Sequence, residues 1–265
     1  MNDDKFRWLI PILLVLVAAG ALWYYSARVS QPQPAPAAME PAQPEVSEPS
    51  GPRYPLPVEM PEREIRPELK PLPALDESDS YFRLELTELF GGGIGVMLVQ
   101  TGLIEKIVAT IDNLPRNHVA ERIRPLTGLP GPFAVDAQDG SGQYTLNPDN
   151  FKRYGDLVGR LDNADVDAIV GVYRRYYPLF QDAYVGLGYP DAYFNDRVVE
   201  VIDHLLDTPE VDVPIELVRP HVLYEYADPE LEALSSGRKL LLRMGPENAA
   251  RVRQVLREFR QHIVE

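Results

Sequence analysis

Half of the prolines in this chain, 13 of 26, fall between residues 30 and 75. Proline donates no backbone hydrogen bond and fixes φ. A stretch this rich in it, interleaved with Ala, Gln and Glu, is therefore barred from helix and sheet and favours polyproline II. The chain thus divides into an N-terminal segment (1–29), a proline-rich disordered linker (30–75) and a remainder, 76–265, long enough to fold around its own core. At about 3.1 Å per residue the linker would reach at most on the order of 140 Å.

The N-terminal segment contains an uncharged run of 18 residues, Trp8 to Tyr25, reading WLIPILLVLVAAGALWYY. That length is close to the lower limit for crossing a hydrocarbon core. Trp8 at one end and Trp23, Tyr24 and Tyr25 at the other match an aromatic belt, and Pro11 lies in the first turn, where a missing donor costs little. The rival reading is a cleaved signal peptide with Ala19-Gly20-Ala21 as its small-residue site. The apolar run continues past that point into Leu22 and the aromatic cluster, which favours a retained anchor. Lys5 and Arg7 precede the run and Arg28 follows it, so the positive-inside rule leaves the N-terminus in the cytoplasm. The expectation is a single-pass transmembrane helix that contacts the lipid bilayer through residues 8–25 of a bacterial inner membrane, with the C-terminal domain in the periplasm.

Composition is that of a folded protein, 45% hydrophobic and 25% charged. No cysteine is present, which removes disulfides, thiolate ligands, a cysteine nucleophile and a lipid-acceptor cysteine. A formal charge of -14 repels phosphate backbones, so no nucleic-acid partner is expected. Residues 237–265 run against this trend, with seven Lys/Arg and three acidic residues.

From Asp76 onward the apolar residues follow helical spacing. Leu103, Ile104, Ile107, Val108 and Ile111 form one stripe, with Thr101 as its N-cap. Asn147-Pro148 signals the start of a helix that buries Phe151, Tyr154, Val158 and Leu161. Val166, Ile169, Val170, Tyr173, Tyr177, Phe180 and Tyr184 form a longer stripe, bent at Pro178. Phe194, Val198, Val201, Ile202 and Leu205 form another. The last helix starts at Pro246 and buries Val252, Val255, Leu256, Phe259 and Ile263 while Arg253 points outward. Phe133–Val135 and Gln143–Leu146 flank a turn-rich stretch and read as a hairpin. Ile215–Val218 and Val222–Tyr226 fit short strands or helical turns equally. The expected fold is mainly α: one helical globular domain with a small β-hairpin.

Three long strings, DNLPRNHVAERIRPL (112–126), YFNDRVVEVIDHLLDTP (193–209) and VLYEYADPELEALSSGRKLLLRMGPENAARV (222–252), give the chain a resemblance. From about Leu75 to its end it resembles an uncharacterised family of bacterial membrane-anchored proteins catalogued as a domain of unknown function. The resemblance implies an envelope location and a common fold, and brings no activity or catalytic residue.

Candidate chemistry is sparse. Ser236-Gly237-Arg238-Lys239 fits Ser-x-x-Lys, but the partner motifs of penicillin-binding proteins are missing, and a helix C-cap at Gly237 between helices 229–234 and 239–243 explains it as well. Tyr173 to Phe194 is dense in aromatics. Helical spacing assigns four of them to the core and leaves Tyr176, Tyr189 and Tyr193, with Arg174 and Arg175, as candidates for a binding groove. Asn195, Asp196, Arg197, Glu200, Asp203 and His204 share one helix. Glu200 and His204 are four apart and can meet, but no third ligand accompanies them, so a charged face, solvated or hydrogen-bonded between helices, is preferred to a metal site. Asp112–Arg116 reads as a helix end held by capping. The glycine run 91–95 lacks phosphate-loop spacing and reads as a flexible break.

No catalytic residue, metal or cofactor is assigned. The expected function is an interaction or scaffolding module of the bacterial cell envelope with a protein or cell-wall partner. The alternative is an envelope hydrolase acting on peptidoglycan or peptide bonds.

Overall fold

The computed structural model describes residues 51–56, 71–129, 131–137 and 142–264. All of them belong to one compact unit, Pro49–Glu265. The Trp8–Tyr25 run lies outside the described residues, among which no helix is long and apolar enough to cross a membrane.

The unit is mainly helical with a small antiparallel sheet. Its helices are α1 (Asp79–Phe90), α2 (Leu103–Asn113), α3 (Asp149–Asp162), α4 (Val166–Gly186), α5 (Phe194–Leu206), α6 (Pro229–Glu232), α7 (Ser236–Met244) and α8 (Pro246–Val264). The strands β1 (Val135–Ala137), β2 (Gln143–Leu146), β3 (Glu216–Val218) and β4 (Glu225–Tyr226) pair in that order.

Helix α4 is the axis, packed by α1, α2, α5 and α8. Its stripe is wider than 173, 177, 180 and 184, because Tyr176, Leu179 and Ala183 are buried as well. A helix enclosed on several sides is apolar on several sides. It runs unbroken through Pro178, which is exposed. The main core gathers Phe82, Leu103, Ile104, Tyr176, Phe180, Phe194 and Ile263. A second cluster, with Val158, Val201, Leu205, Leu241 and Met244, joins α3, α5, α7 and α8.

The start of α2 departs from expectation. Gly102, with φ +65, occupies the N-cap position in place of Thr101. The cap comes from the first residue of α1: the Asp79 carboxylate accepts from the amides of Gly102 (2.9 Å) and Leu103 (2.7 Å). The left-handed backbone turns both amides toward one acceptor, a conformation that favours glycine.

The hairpin β1–β2 forms as read, and β3 and β4 extend it into a four-stranded sheet. Thr145 faces Glu216 across the β2–β3 ladder. Leu146, Leu217 and Tyr226 point to one side, over Leu242 of α7. The glycine run is ordered into a 3-10 turn, Gly92–Ile94, with the Arg160 guanidinium against Gly93 and donating to the Phe90 carbonyl at 3.2 Å.

Helix α8 starts at Pro246 and packs on α3, α4, α5 and α7. Val255 and Ile263 are fully buried, and Val252, Leu256 and Phe259 line the clusters beside them. Arg253 was expected to point outward; it is 8% exposed and donates to the Thr208 carbonyl at 2.9 Å. Its long stem covers apolar surface while the guanidinium finds an acceptor at the end of α5, so charge alone misjudged it.

Residues 51–56, drawn within the proline-rich linker, lie against the domain. Tyr54 and Leu56, together with Leu72 and Leu75, pack on the rim of the main core. Prolines forbid a regular ladder, but they leave an aromatic and an aliphatic side chain free to dock.

Candidate functional site

The first turn of α5 is capped from α4. Gln181 accepts the Phe194 amide at 2.8 Å, and the Tyr177 hydroxyl accepts the Asn195 amide at 3.4 Å. Gln181 also donates to the Ala192 carbonyl, closing the turn that leads into the helix. With these amides satisfied by neighbours, the side chains of Asn195 and Asp196 need not cap their own helix and reach elsewhere.

Asp196 clamps residues 53–54: its two carboxylate oxygens accept from the consecutive amides of Arg53 (2.9 Å) and Tyr54 (2.8 Å). Asn195, 1% exposed, donates to the Tyr54 carbonyl at 2.9 Å and to the Ile263 carbonyl of α8 at 3.0 Å. Its own carbonyl accepts from the Tyr173 hydroxyl at 3.0 Å. Burial, then the neighbouring Tyr177 and Asp196, push that hydroxyl well above its ordinary range, so it stays a donor. Glu200 approaches Arg53 at 3.9 Å, and Arg260 grips Asp203 with two bonds of 2.5 and 3.0 Å. Glu200 and Asp203 at the rim of the clamp are therefore each paired with an arginine.

The next residue of α5, Arg197, reaches Asp112 at the end of α2. Asp112 is 4% exposed, with Arg197 Nε at 2.9 Å from one oxygen and Arg116 at 2.9 Å from the other. Tyr189 completes the group: its hydroxyl is 3.2 Å from Arg116 and 3.4 Å from Asp112, and its ring stacks on Tyr184 at 4.7 Å. Burial, then the Asp112 charge, raise Tyr184 to about 12. Asp112 reads in the sequence as a helix end. Its role as an ion-pair hub depends on a partner 85 positions away, which no local pattern reveals.

The predicted candidates thus separate. Tyr189, Asp196, Arg197 and Glu200 come together at the start of α5, beside Tyr193, which precedes the helix as its N-cap residue. Tyr176 is 1% exposed, packed on Phe82, and presents no binding surface. Arg175 pairs with Glu85 of α1, and Arg174 donates to the His262 carbonyl of α8 at 2.6 Å. Both arginines tie helices together. Sequence reasoning missed residues 53–54.

His204 meets Ser235, its Nε2 lying 2.7 Å from the hydroxyl. Burial and then Arg238 hold His204 below its ordinary value, favouring the neutral ring beside the serine hydroxyl. This is a nucleophile–base distance. Yet Ser235 is buried and is the N-cap of α7, accepting the Arg238 amide at 3.3 Å. The next two amides, Ser236 and Gly237, donate to the Arg116 and Leu114 carbonyls at 2.8 and 2.9 Å, so they are not open to a developing oxyanion. Gly237 is in the first turn of α7 instead of a C-cap, because α7 begins three residues earlier than the apolar pattern suggested. Lys239 goes to Glu232 at 2.6 Å, which dissolves the Ser-x-x-Lys reading.

An open groove of about 440 Å³ between α1 and α3, lined by Phe90, Gly155, Asp156, Gly159 and Arg160, contains none of the candidates. Among the described residues no three His, Asp or Glu side chains are grouped to hold a metal ion.

A family model described as "Protein of unknown function (DUF3014)" matches residues 103–260. The match spans α2 to α8 and so includes Asp112, Asn195, Asp196 and Arg197. No curated protein and no solved structure matches the chain.

Proposed function

The chain belongs to the DUF3014 family of proteins of unknown function, and from that premise we propose that it is a membrane-anchored interaction module of the bacterial cell envelope. It presents its helical domain to a protein or cell-wall partner on the periplasmic side. The observation that carries the reading is the clamp of Asn195 and Asp196, whose side chains hold main-chain groups of a non-helical segment instead of capping their own helix. A partner's extended backbone offers the same amides and carbonyl to these two side chains. The uncharged Trp8–Tyr25 run with Lys5 and Arg7 before it supports the anchor and the orientation. The alternative, an envelope hydrolase, draws on the Ser235–His204 pair and is weakened by the bonded amides beside it.

A photoreactive amino acid at position 200 of the full chain, expressed in cells, tests the module. Illumination should give a discrete adduct in the envelope fraction that disappears on Asp196→Ala. Absence of an adduct, or one indifferent to Asp196→Ala, rejects it. Alkaline phosphatase fused after Glu265 should be active. A stable but inactive fusion rejects the orientation, and a mature chain beginning near Leu22 rejects the anchor.

A further inference from the structure

We infer that the groove between the start of α5 and the end of α8 is a peptide-binding site for a basic–aromatic–proline–aliphatic segment of a partner protein, and that the chain's own residues 53–56 (Arg53-Tyr54-Pro55-Leu56) fill it in cis. This deepens the interaction-module reading and rests on it. Three features point to a ligand site. First, the segment is held through its backbone. Asp196 takes two consecutive amides and Asn195 takes the following carbonyl, groups that any peptide of matching shape supplies. Second, Tyr54 and Leu56 pack against the rim of the main core, giving two apolar side-chain contacts. Third, the Glu200 carboxylate lies 3.9 Å from Arg53 and gives a basic residue of the ligand an acidic partner.

The ligand is also shaped in advance. Pro52 and Pro55 bracket Arg53 and Tyr54, and a residue before proline is confined to extended backbone. Little ordering entropy is then lost on binding. The contacts themselves are few. Arg53 is largely exposed, its pair with Glu200 is long, and the segment contributes no strand or helix. A ligand held by so few contacts is retained because it is tethered, at an effective concentration on the order of millimolar for a short linker. A partner segment of the same chemistry competes for the same two residues. Its apparent affinity is reduced by the fraction of time the groove stands open.

The test uses the full chain in detergent and a fluorescent synthetic peptide with the sequence of residues 49–58. In a Tyr54→Ala/Leu56→Ala chain, which loosens the cis segment and leaves the groove intact, the peptide should bind. To the wild-type chain it should bind about tenfold or more weakly. Binding should vanish when Asp196→Ala is added, and when the peptide carries proline in place of Arg53, which removes one of the two clamped amides. Circular dichroism melts verify that each variant is folded; should the double variant unfold, Arg53→Pro in the chain serves as the loosened form. A folded, loosened chain that ignores the peptide overturns the inference. Equal affinity for wild-type and loosened chains, or binding indifferent to Asp196→Ala, does so too. The assay needs no cellular partner. An adduct at position 200 alongside failed peptide binding would leave the module with a different ligand. Peptide binding without an adduct would leave the groove and remove the envelope role.

Discussion

Arg197 grips Asp112 twice, with Nε 2.9 Å from the side-chain carboxylate and a terminal nitrogen 2.8 Å from the main-chain carbonyl of the same residue. The helix end of α2 and the first turn of α5 are thereby fixed to each other by one guanidinium.

Removing that guanidinium leaves a buried carboxylate with Arg116, itself half exposed, as its remaining charged partner. Arg197→Ala should therefore cost about 2–4 kcal/mol, and Arg197→Lys nearly as much, because an ammonium cannot span both acceptors. Urea unfolding of the two variants checks this; a loss under about 1 kcal/mol, the worth of a surface pair, would refute it.

Helix α8 is integral to the core. Leu256→Ala and Phe259→Ala should each cost about 2–4 kcal/mol, and Ile263→Ala, the most buried of the three, at least as much. Arg253→Ala should cost about 1–3 kcal/mol, because it orphans the Thr208 carbonyl and removes a buried stem. Thermal melts of the five variants should place Arg253→Ala with the core residues and Arg257→Ala near wild type.

Gly237 has no room for a side chain. A Cβ there would stand 2.6 Å from a Leu205 methyl and 3.1 Å from both the Cβ and the carbonyl oxygen of Leu114. Gly237→Ala should destabilise by about 1–3 kcal/mol although alanine is the better helix former. A neutral or stabilising result would mean that the α2–α7 contact yields freely.

Acid should act through His204. Its folded-state value is below the ordinary 6.5, first by burial and then by Arg238, with Asp207 opposing. The unfolded chain then takes up the proton first. The contribution of neutral His204 is present above about pH 6.5 and is lost as pH falls through the unfolded value toward the folded one. Unfolding measured from about pH 7.5 to 5 should show the stability gap between wild type and His204→Asn narrowing with acidification. A gap that stays constant or widens would contradict the neutral-imidazole pairing with Ser235.

How much of this was legible depended on whether a signal was local. The stripes of α2, α3, α5 and α8, and the start of α8 at Pro246, were readable because each helix buries one face at a fixed period. Tyr176 misled because α4 is enclosed on several sides, so a residue off the main stripe is still core. Strands β3 and β4 were ambiguous because their lengths of three and two residues carry no period, and β3 finds its partner β2 some 70 positions earlier. The same distance problem hid Asp79 as the cap of α2. In the site, the charged residues of α5 were visible, while Asp112 and the clamped residues 53–54 were not. Ion pairs and backbone clamps between distant segments leave no trace in spacing.

The docking of Arg53 and Tyr54 on Asp196 also sets where a pull on the N-terminal part of the chain enters the domain. Tension along the first fifty residues meets the carboxylate–amide pair at the head of α5 before it reaches Leu75 and α1. Two hydrogen bonds to a carboxylate some 143 positions along the chain thus close the sequence into a ring, with Arg53 held at the head of α5 ahead of any residue of α1.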